Sequence, residues 1–203
     1  MELARIVRFI LFALFSPFEP ASRPSVYINL SFFPILINMK FSLLITSSLA
    51  AFAAAAPVNK RAVFSTQTYD DLSISGGVAG NAQQEALDKL AGLPDDLTTV
   101  EEADLDFLNS VNQIANDAET DAFNPAIEAA DGEEADALQR GKIKNKVLKL
   151  TATILKLQAQ QAQGQDVAEK LAAEQKKLDN NIAQDEDEAG LESIALQFDA
   201  TTD

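Results

Sequence analysis

The chain has 203 residues, with 16 basic and 31 acidic side chains, a net charge of -15, and no His, Cys or Trp. Without Cys there is no disulfide framework, thiolate nucleophile or Cys-type metal site. Without His, the usual general base near neutral pH and the commonest metal ligand are also missing. The composition therefore excludes the common catalytic and metal-binding constellations and leaves the fold to its hydrophobic core.

Residues 39–56, MKFSLLITSSLAAFAAAA, have the three parts of a secretory signal peptide. A basic start precedes an apolar run, and Ala53-Ala54-Ala55 offers an Ala-x-Ala cleavage site ending at Ala55. The alternative, a buried core helix, is disfavoured by those flanks, and the run is shorter than the ~20 apolar residues that span a bilayer. We therefore expect a secreted, extracellular or cell-wall protein.

A signal peptide acts from the amino terminus, yet 38 residues precede Met39. We interpret residues 1–38 as a gene-model extension, with translation beginning at Met39. The alternative is an additional signal or anchor around residues 6–15, although that run is also too short to span a bilayer.

The next residues, 57–61, read PVNKR and form a short predicted pro-segment. The pair Lys60-Arg61 resembles the processing site of the kexin-type proteases of fungal secretory pathways; the alternative is an ordinary exposed basic pair. Cleavage there predicts a single mature domain at 62–203. It would have 10 basic and 29 acidic residues, a charge that argues against nucleic acid or an anionic membrane as partner. No membrane anchor is expected to remain after processing.

In the first part of the mature chain, residues 62–80 are rich in Ser, Thr and Gly. Leu72 and Ile74 alternate with serines there, which allows a short strand. A first helix is predicted after Asn81 as N-cap and is closed by Gly92.

A second helix is predicted over residues 100–123. Residues 98–102, TTVEE, give overlapping capping-box patterns at its start. It is expected to end at Asn124, because the residue before Pro125 is disfavoured in helical geometry. Its apolar stripe consists of Leu105, Leu108, Val111, Ile114, Ala115, Ala118 and Ala122.

A long αα-hairpin is predicted at 133–188. Apolar positions repeat at helical spacing in both halves, and the turn at 160–166 is too short for anything but antiparallel neighbours. Together with the helix at 100–123, the hairpin predicts an all-α fold, a small antiparallel bundle of three to four main helices. The alternating tail from 191 to 203 is expected to form a short β pairing with the segment near Tyr69.

Five of the ten basic residues of the mature chain lie within ten positions. They are Arg140, Lys142, Lys144, Lys146 and Lys149. Helical spacing puts Lys142, Lys146 and Lys149 on one face. This cluster is either a patch for an anionic partner or an internal counterweight to the acidic helices, and the net charge favours the second interpretation.

The segments 67–87 (QTYDDLSISGGVAGNAQQEAL), 137–150 (ALQRGKIKNKVLKL) and 173–183 (AEQKKLDNNIA) resemble a family of uncharacterised small secreted proteins of filamentous ascomycete fungi. The likeness extends over nearly all of residues 39–203 and includes the PVNKR junction. It implies an extracellular fungal origin and no reaction, ligand or functional residue.

Two functions fit these features. The first is a non-enzymatic extracellular protein that binds another extracellular protein or a cell-wall component. The alternative is a carrier that holds a lipid or other apolar ligand between its helices. No set of residues predicts catalysis, a cofactor or a metal, so we expect the protein not to be an enzyme; a carboxylate-only mechanism would be the exception.

Overall fold

The computed structural model describes residues 61–202. The predicted gene-model extension, the signal peptide with Ala55, and Lys60 of the pro-segment lie outside the described residues. No helix among the described residues is long and apolar enough to cross a membrane.

The described chain is mainly helical, as predicted. Its helices are α1 (Tyr69–Leu72), α2 (Ala82–Lys89), α3 (Glu102–Ala118), α4 (Asn124–Ala129), α5 (Glu133–Ala162) and α6 (Ala168–Asp187). A short 3-10 turn, Leu97–Thr99, precedes α3, and a π turn, Glu119–Phe123, joins α3 to α4. The predicted all-α fold and the hairpin at 133–188, formed by α5 and α6, are confirmed.

Helix α5 is the centre of the bundle and contacts α2, α3, α4 and α6. Its buried side chains are spread around the helix, and fully buried Val147 joins a core that also contains Leu108 and Val111 of α3. Ala115, Ala118 and Ala152 are fully buried in the same core, where small side chains let helices approach closely.

The predicted pairing between the two ends of the domain is also confirmed. Strand β1 (Gly77–Val78) pairs antiparallel with β2 (Glu192–Ser193). Nearer the termini, an isolated bridge joins Thr68 to Thr201, and the Tyr69 N–H donates to the carbonyl of Ala200 at 2.9 Å.

The segment that suggested a strand at 72–75 adopts another structure. Leu72 closes the single turn of α1, whose first turn is capped by the Thr68 hydroxyl accepting from the Asp71 N–H at 3.1 Å. The short strand that the sequence allowed is not formed at 72–75, because the Thr68 cap sets helical geometry as far as Leu72 and the strand begins only at Gly77.

The capping boxes predicted at 98–102 are wrong. Glu101 is the N-cap of α3 and makes no side-chain capping bond. The two threonines belong instead to the preceding 3-10 turn, where Asp96 Oδ1 accepts from the Thr98 N–H at 3.1 Å. Val100 is extended (φ -63°, ψ 130°), and with Glu101 it separates the turn from the helix by two residues.

The predicted end of the second helix at Asn124 is also wrong. Asn124 keeps helical angles (φ -59°, ψ -51°), and its N–H bonds the carbonyl of Glu119. A π turn holds an extra residue per turn, which moves the preceding carbonyls away from the ring of Pro125. The chain therefore stays helical as far as Ala129.

The C-terminal tail crosses α5 at Gly141. The Ile194 N–H donates to the carbonyl of Ala137 at 3.1 Å, and a Cβ atom at position 141 would overlap the Ile194 carbonyl oxygen and lie 3.1 Å from the Phe123 ring. This close approach explains a glycine in the middle of a long helix, where it costs about 1 kcal/mol relative to Ala.

Candidate functional site

The five clustered bases of α5 divide into two groups that face different parts of the chain. Arg140 is buried beneath the C-terminal tail: its guanidinium contacts Glu133 at 2.5 Å and Glu188 at 3.4 Å, and its Nε donates to the carbonyl of Glu192. This arginine therefore fixes β2 and the end of α6 to α5.

Lys144 is fully buried on the same side of α5. Its ammonium donates to the carbonyls of Gly76 at 2.7 Å and Val78 at 3.0 Å, and it pairs with Glu85 at 2.9 Å. The ammonium thus has two carbonyl acceptors and a carboxylate counter-ion. The contacts connect α5 to β1 and to α2.

Lys142, Lys146 and Lys149 share one face, as predicted, and this face is turned towards the π turn and the start of α4. Lys149 and Lys146 pair with Glu119 at 2.6 and 3.3 Å, and Lys142 donates to Asn124 Oδ1 at 3.2 Å. Burial alone would raise the pKa of Glu119, but the two lysines outweigh it and hold that pKa below its usual range.

Every base of the cluster thus has a polar partner within the chain, and four of the five have a carboxylate. This is the internal neutralisation that the net charge favoured. An anionic partner at this patch would have to compete with these contacts, and two of the bases, Arg140 and Lys144, are almost fully or fully buried.

The predicted processing site lies at the start of the described chain. Arg61 is exposed and Ala62 half-buried. Immediately afterwards, the N–H groups of Val63 and Phe64 donate to Asp104 Oδ1 at 2.8 and 3.0 Å. The peptide bond after Arg61 therefore lies one residue before the first anchored residue of the domain.

An open cleft of about 640 Å³ lies where the two ends of the domain meet. It is bounded by α1, the segment before β1, α2 and the C-terminal tail. The residues that line it are Asp70, Ser73, Ile74, Gly76, Glu85, Asp88, Lys89, Ala195, Leu196 and Gln197. The cleft thus combines an apolar part, from Ile74 and Leu196, with charged side chains on its rim.

The charges around the cleft are predominantly negative. Asp70 Oδ1 accepts from the Phe198 N–H at 3.2 Å, and Asp88 Oδ1 accepts from Gln84 at 2.8 Å; among residues 61–202, neither carboxylate has a salt bridge. The carboxylate of Glu85 is neutralised by the buried ammonium of Lys144. Lys89 is the basic lining residue, and its ammonium donates to the carbonyl of Asp71.

In the part of the chain that the structure describes, no group of three or more metal-ligating side chains is close enough to hold an ion. Two buried polar atoms there lack a hydrogen-bond partner: the Ser75 hydroxyl and Asp185 Oδ1. The other oxygen of Asp185 accepts from the Ala82 N–H at 2.8 Å. Asn81 is the N-cap residue of α2, as predicted, but its side chain makes no capping bond.

Sequence reasoning did not find the cleft, because its walls come from positions about 120 residues apart. The signal that bears on it is the predicted pairing of the two chain ends. That pairing brings the tail against α1, but it does not determine which side chains then border an open space.

The fold and the site together define a small helical domain with an acidic cleft between its joined ends. Residues 64–197 match the model of a family described as a domain of unknown function (DUF8454), and the chain belongs to this family. The predicted membership of an uncharacterised family is thus confirmed. No curated protein and no solved structure matches the chain.

Proposed function

We propose that this chain is a secreted, non-enzymatic fungal protein that binds a basic, partly apolar segment of another extracellular protein in its acidic cleft. Export is supported by the signal-like residues 39–56 and the dibasic pair at 60–61. The start of the matched family at residue 64 agrees with a mature domain that begins at 62.

The observation that carries the binding role is a pair of cleft carboxylates, Asp70 and Asp88, which have no salt bridge among the described residues. They lie beside the apolar surface of Ile74 and Leu196. A basic side chain next to an apolar one complements both features. The net charge of the mature chain adds long-range attraction for a cationic partner.

The non-enzymatic part of the proposal is supported by composition. Neither the usual general base nor a thiol is present anywhere in the sequence. Serine and tyrosine hydroxyls remain, but they need an activating base within hydrogen-bond reach. Tyr69 is instead buried, and its hydroxyl donates to Asn145 Oδ1 at 2.9 Å.

A carrier of an apolar ligand is the other function that the sequence suggested. The apolar stripe of α3, which includes three alanines, faces the core, where Ala115 and Ala118 are fully buried. In the cleft, an apolar ligand would lie against two carboxylates beside the apolar surface. A basic, partly apolar peptide segment fits that lining better than a purely apolar ligand does.

Binding can be measured by titrating isotope-labelled 62–203 with an acetylated and amidated Lys-Leu-Lys-Leu peptide and following backbone NMR shifts. We expect shifts at Ser73, Ile74 and Leu196. Asp88→Asn removes one cleft charge and should weaken binding about fivefold, roughly 1 kcal/mol of Coulomb attraction near a protein surface.

The matched control is Asp179→Asn on α6. Asp179 accepts from Gln175 four residues earlier, as Asp88 does from Gln84, but it does not line the cleft. Its substitution should leave the affinity unchanged. Equal shifts with a Gln-Leu-Gln-Leu peptide, or equal losses in the two variants, would refute a cation-selective cleft.

Export is tested separately by expressing residues 39–203 in a filamentous ascomycete and determining the mass and amino terminus of the protein in the medium. We expect a chain that begins at Ala62. Retention of the full protein inside the cells contradicts secretion, whereas a secreted chain that begins at residue 56 or 57 contradicts only the dibasic cleavage.

A further inference from the structure

The first anchored residues of the domain converge on one buried carboxylate. Asp104, 1% exposed, accepts the N–H groups of Val63 and Phe64 through the same oxygen, Oδ1. Beside it, the Phe64 ring stacks on that of Phe107 with centroids 4.4 Å apart. The amino-terminal segment is thus held against the first turn of α3.

This carboxylate has no counter-ion among the described residues. Its partners are neutral amide groups, together with the partial positive charge at the start of α3. Two other buried charged groups, Arg140 and Lys144, each have a carboxylate partner. Buried Asp185, like Asp104, accepts only from backbone N–H among the described residues. Burying a charge is costly unless it is paired, so a cation near Asp104 would be stabilising.

We propose that cleavage after Arg61 supplies this cation, and that the new α-ammonium of Ala62 completes the site at Asp104. The inference depends on the dibasic processing proposed above. A dibasic-specific endoprotease adds water across the peptide bond: hydroxyl goes to the Arg61 carbonyl carbon and hydrogen to the Ala62 nitrogen. That nitrogen, previously a neutral amide, then takes up a proton at mildly acidic to neutral pH.

Covalent geometry places the new charge close to the carboxylate. Successive backbone nitrogens are at most about 3.7 Å apart. Since the Val63 nitrogen is 2.8 Å from Asp104 Oδ1, the Ala62 nitrogen lies within about 6.5 Å of that oxygen. Ala62 is half-buried, so solvent screens the pair less than it would screen an exposed one.

Processing therefore does more than remove a pro-segment, because it stabilises the docked amino terminus of the mature protein. In the precursor the same nitrogen is an uncharged amide, and Asp104 retains only its backbone donors. We expect the contacts of Val63 and Phe64 with α3 to be more stable in the mature chain than in the precursor.

The test compares melting temperatures at pH 6 of chain 62–203 with a free or an acetylated amino terminus, each with and without Asp104→Asn. The asparagine keeps an oxygen for both N–H groups and removes only the charge. We expect acetylation to lower Tm by about 2–4 °C in the wild-type chain and by less than about 1 °C in the variant. High salt should reduce the wild-type difference.

Asp106→Asn is the matched control, since Asp106 lies in the same turn of α3 but is exposed. It should keep the full effect of acetylation. An effect of the same size in the Asp104→Asn background, or none in the wild type, would overturn the proposal. Because these proteins are made with defined amino termini, the outcome is independent of whether cleavage after Arg61 occurs in culture.

Discussion

Gly141→Ala is expected to lower the free energy of unfolding by about 2–3 kcal/mol, although alanine is the better helix former by about 1 kcal/mol. The added methyl group would overlap the Ile194 carbonyl oxygen and press on the Phe123 ring. Because the obstacle is backbone, it cannot be relieved by a change of rotamer. The tail has to move away from α5, and the bond from the Ile194 N–H to Ala137 would be lost.

Urea unfolding measures the loss, and amide hydrogen exchange locates it: the Ile194 N–H should become unprotected before the amides of α5. Gly76→Ala is the control, since Gly76 also faces the tail but has an ordinary φ, and a Cβ there would meet Ala195 at 3.4 Å. That change should alter stability by less than about 1 kcal/mol. Comparable losses in both variants would mean that the crossing at Gly141 is not specifically tight.

The difference between the two glycines illustrates how far the sequence could predict this fold. Apolar spacing was sufficient to predict α3, α5 and α6, because amphipathic helices pack through a face that the sequence itself defines. Gly141 entered that pattern only as an unfavourable residue. Its reason lies with Ile194, more than fifty positions away, and periodicity carries no information about which distant backbone crosses a helix.

The same limit applies to the helix ends. The threonines at 98 and 99 lie in a 3-10 turn capped by Asp96 rather than at the start of α3, and a π turn let the chain pass Pro125 without leaving helical geometry. Both outcomes depend on small local energy differences, about 1 kcal/mol for a cap, that tertiary packing overrides. The cleft is still harder to predict, because it is space left between segments rather than a property of any one of them.

Of the clustered bases, Lys144 differs most from what its position in a charged run suggests. Runs of lysine usually lie on solvated surfaces, yet this side chain is fully buried, and its ammonium joins α2, β1 and α5. The sequence could show that internal neutralisation was favoured by charge. It could not show that one lysine of the run would be fully buried.

Lys144→Met should cost about 2–4 kcal/mol of unfolding free energy, because the carbonyls of Gly76 and Val78 lose their shared donor and Glu85 loses its counter-ion. Methionine keeps most of the side-chain volume, so the loss reports the charge contacts rather than a cavity.

The measurement is urea unfolding at neutral pH, with Lys146→Met as control. The Lys146 side chain is one-third exposed, and Glu119 keeps its contact with Lys149 when the Lys146 ammonium is removed. The control should lose less than about 1 kcal/mol. If the Lys144→Met chain were as stable as the wild type, hydrophobic packing and not this buried ammonium would hold the segment from Gly76 to Val78 against the bundle.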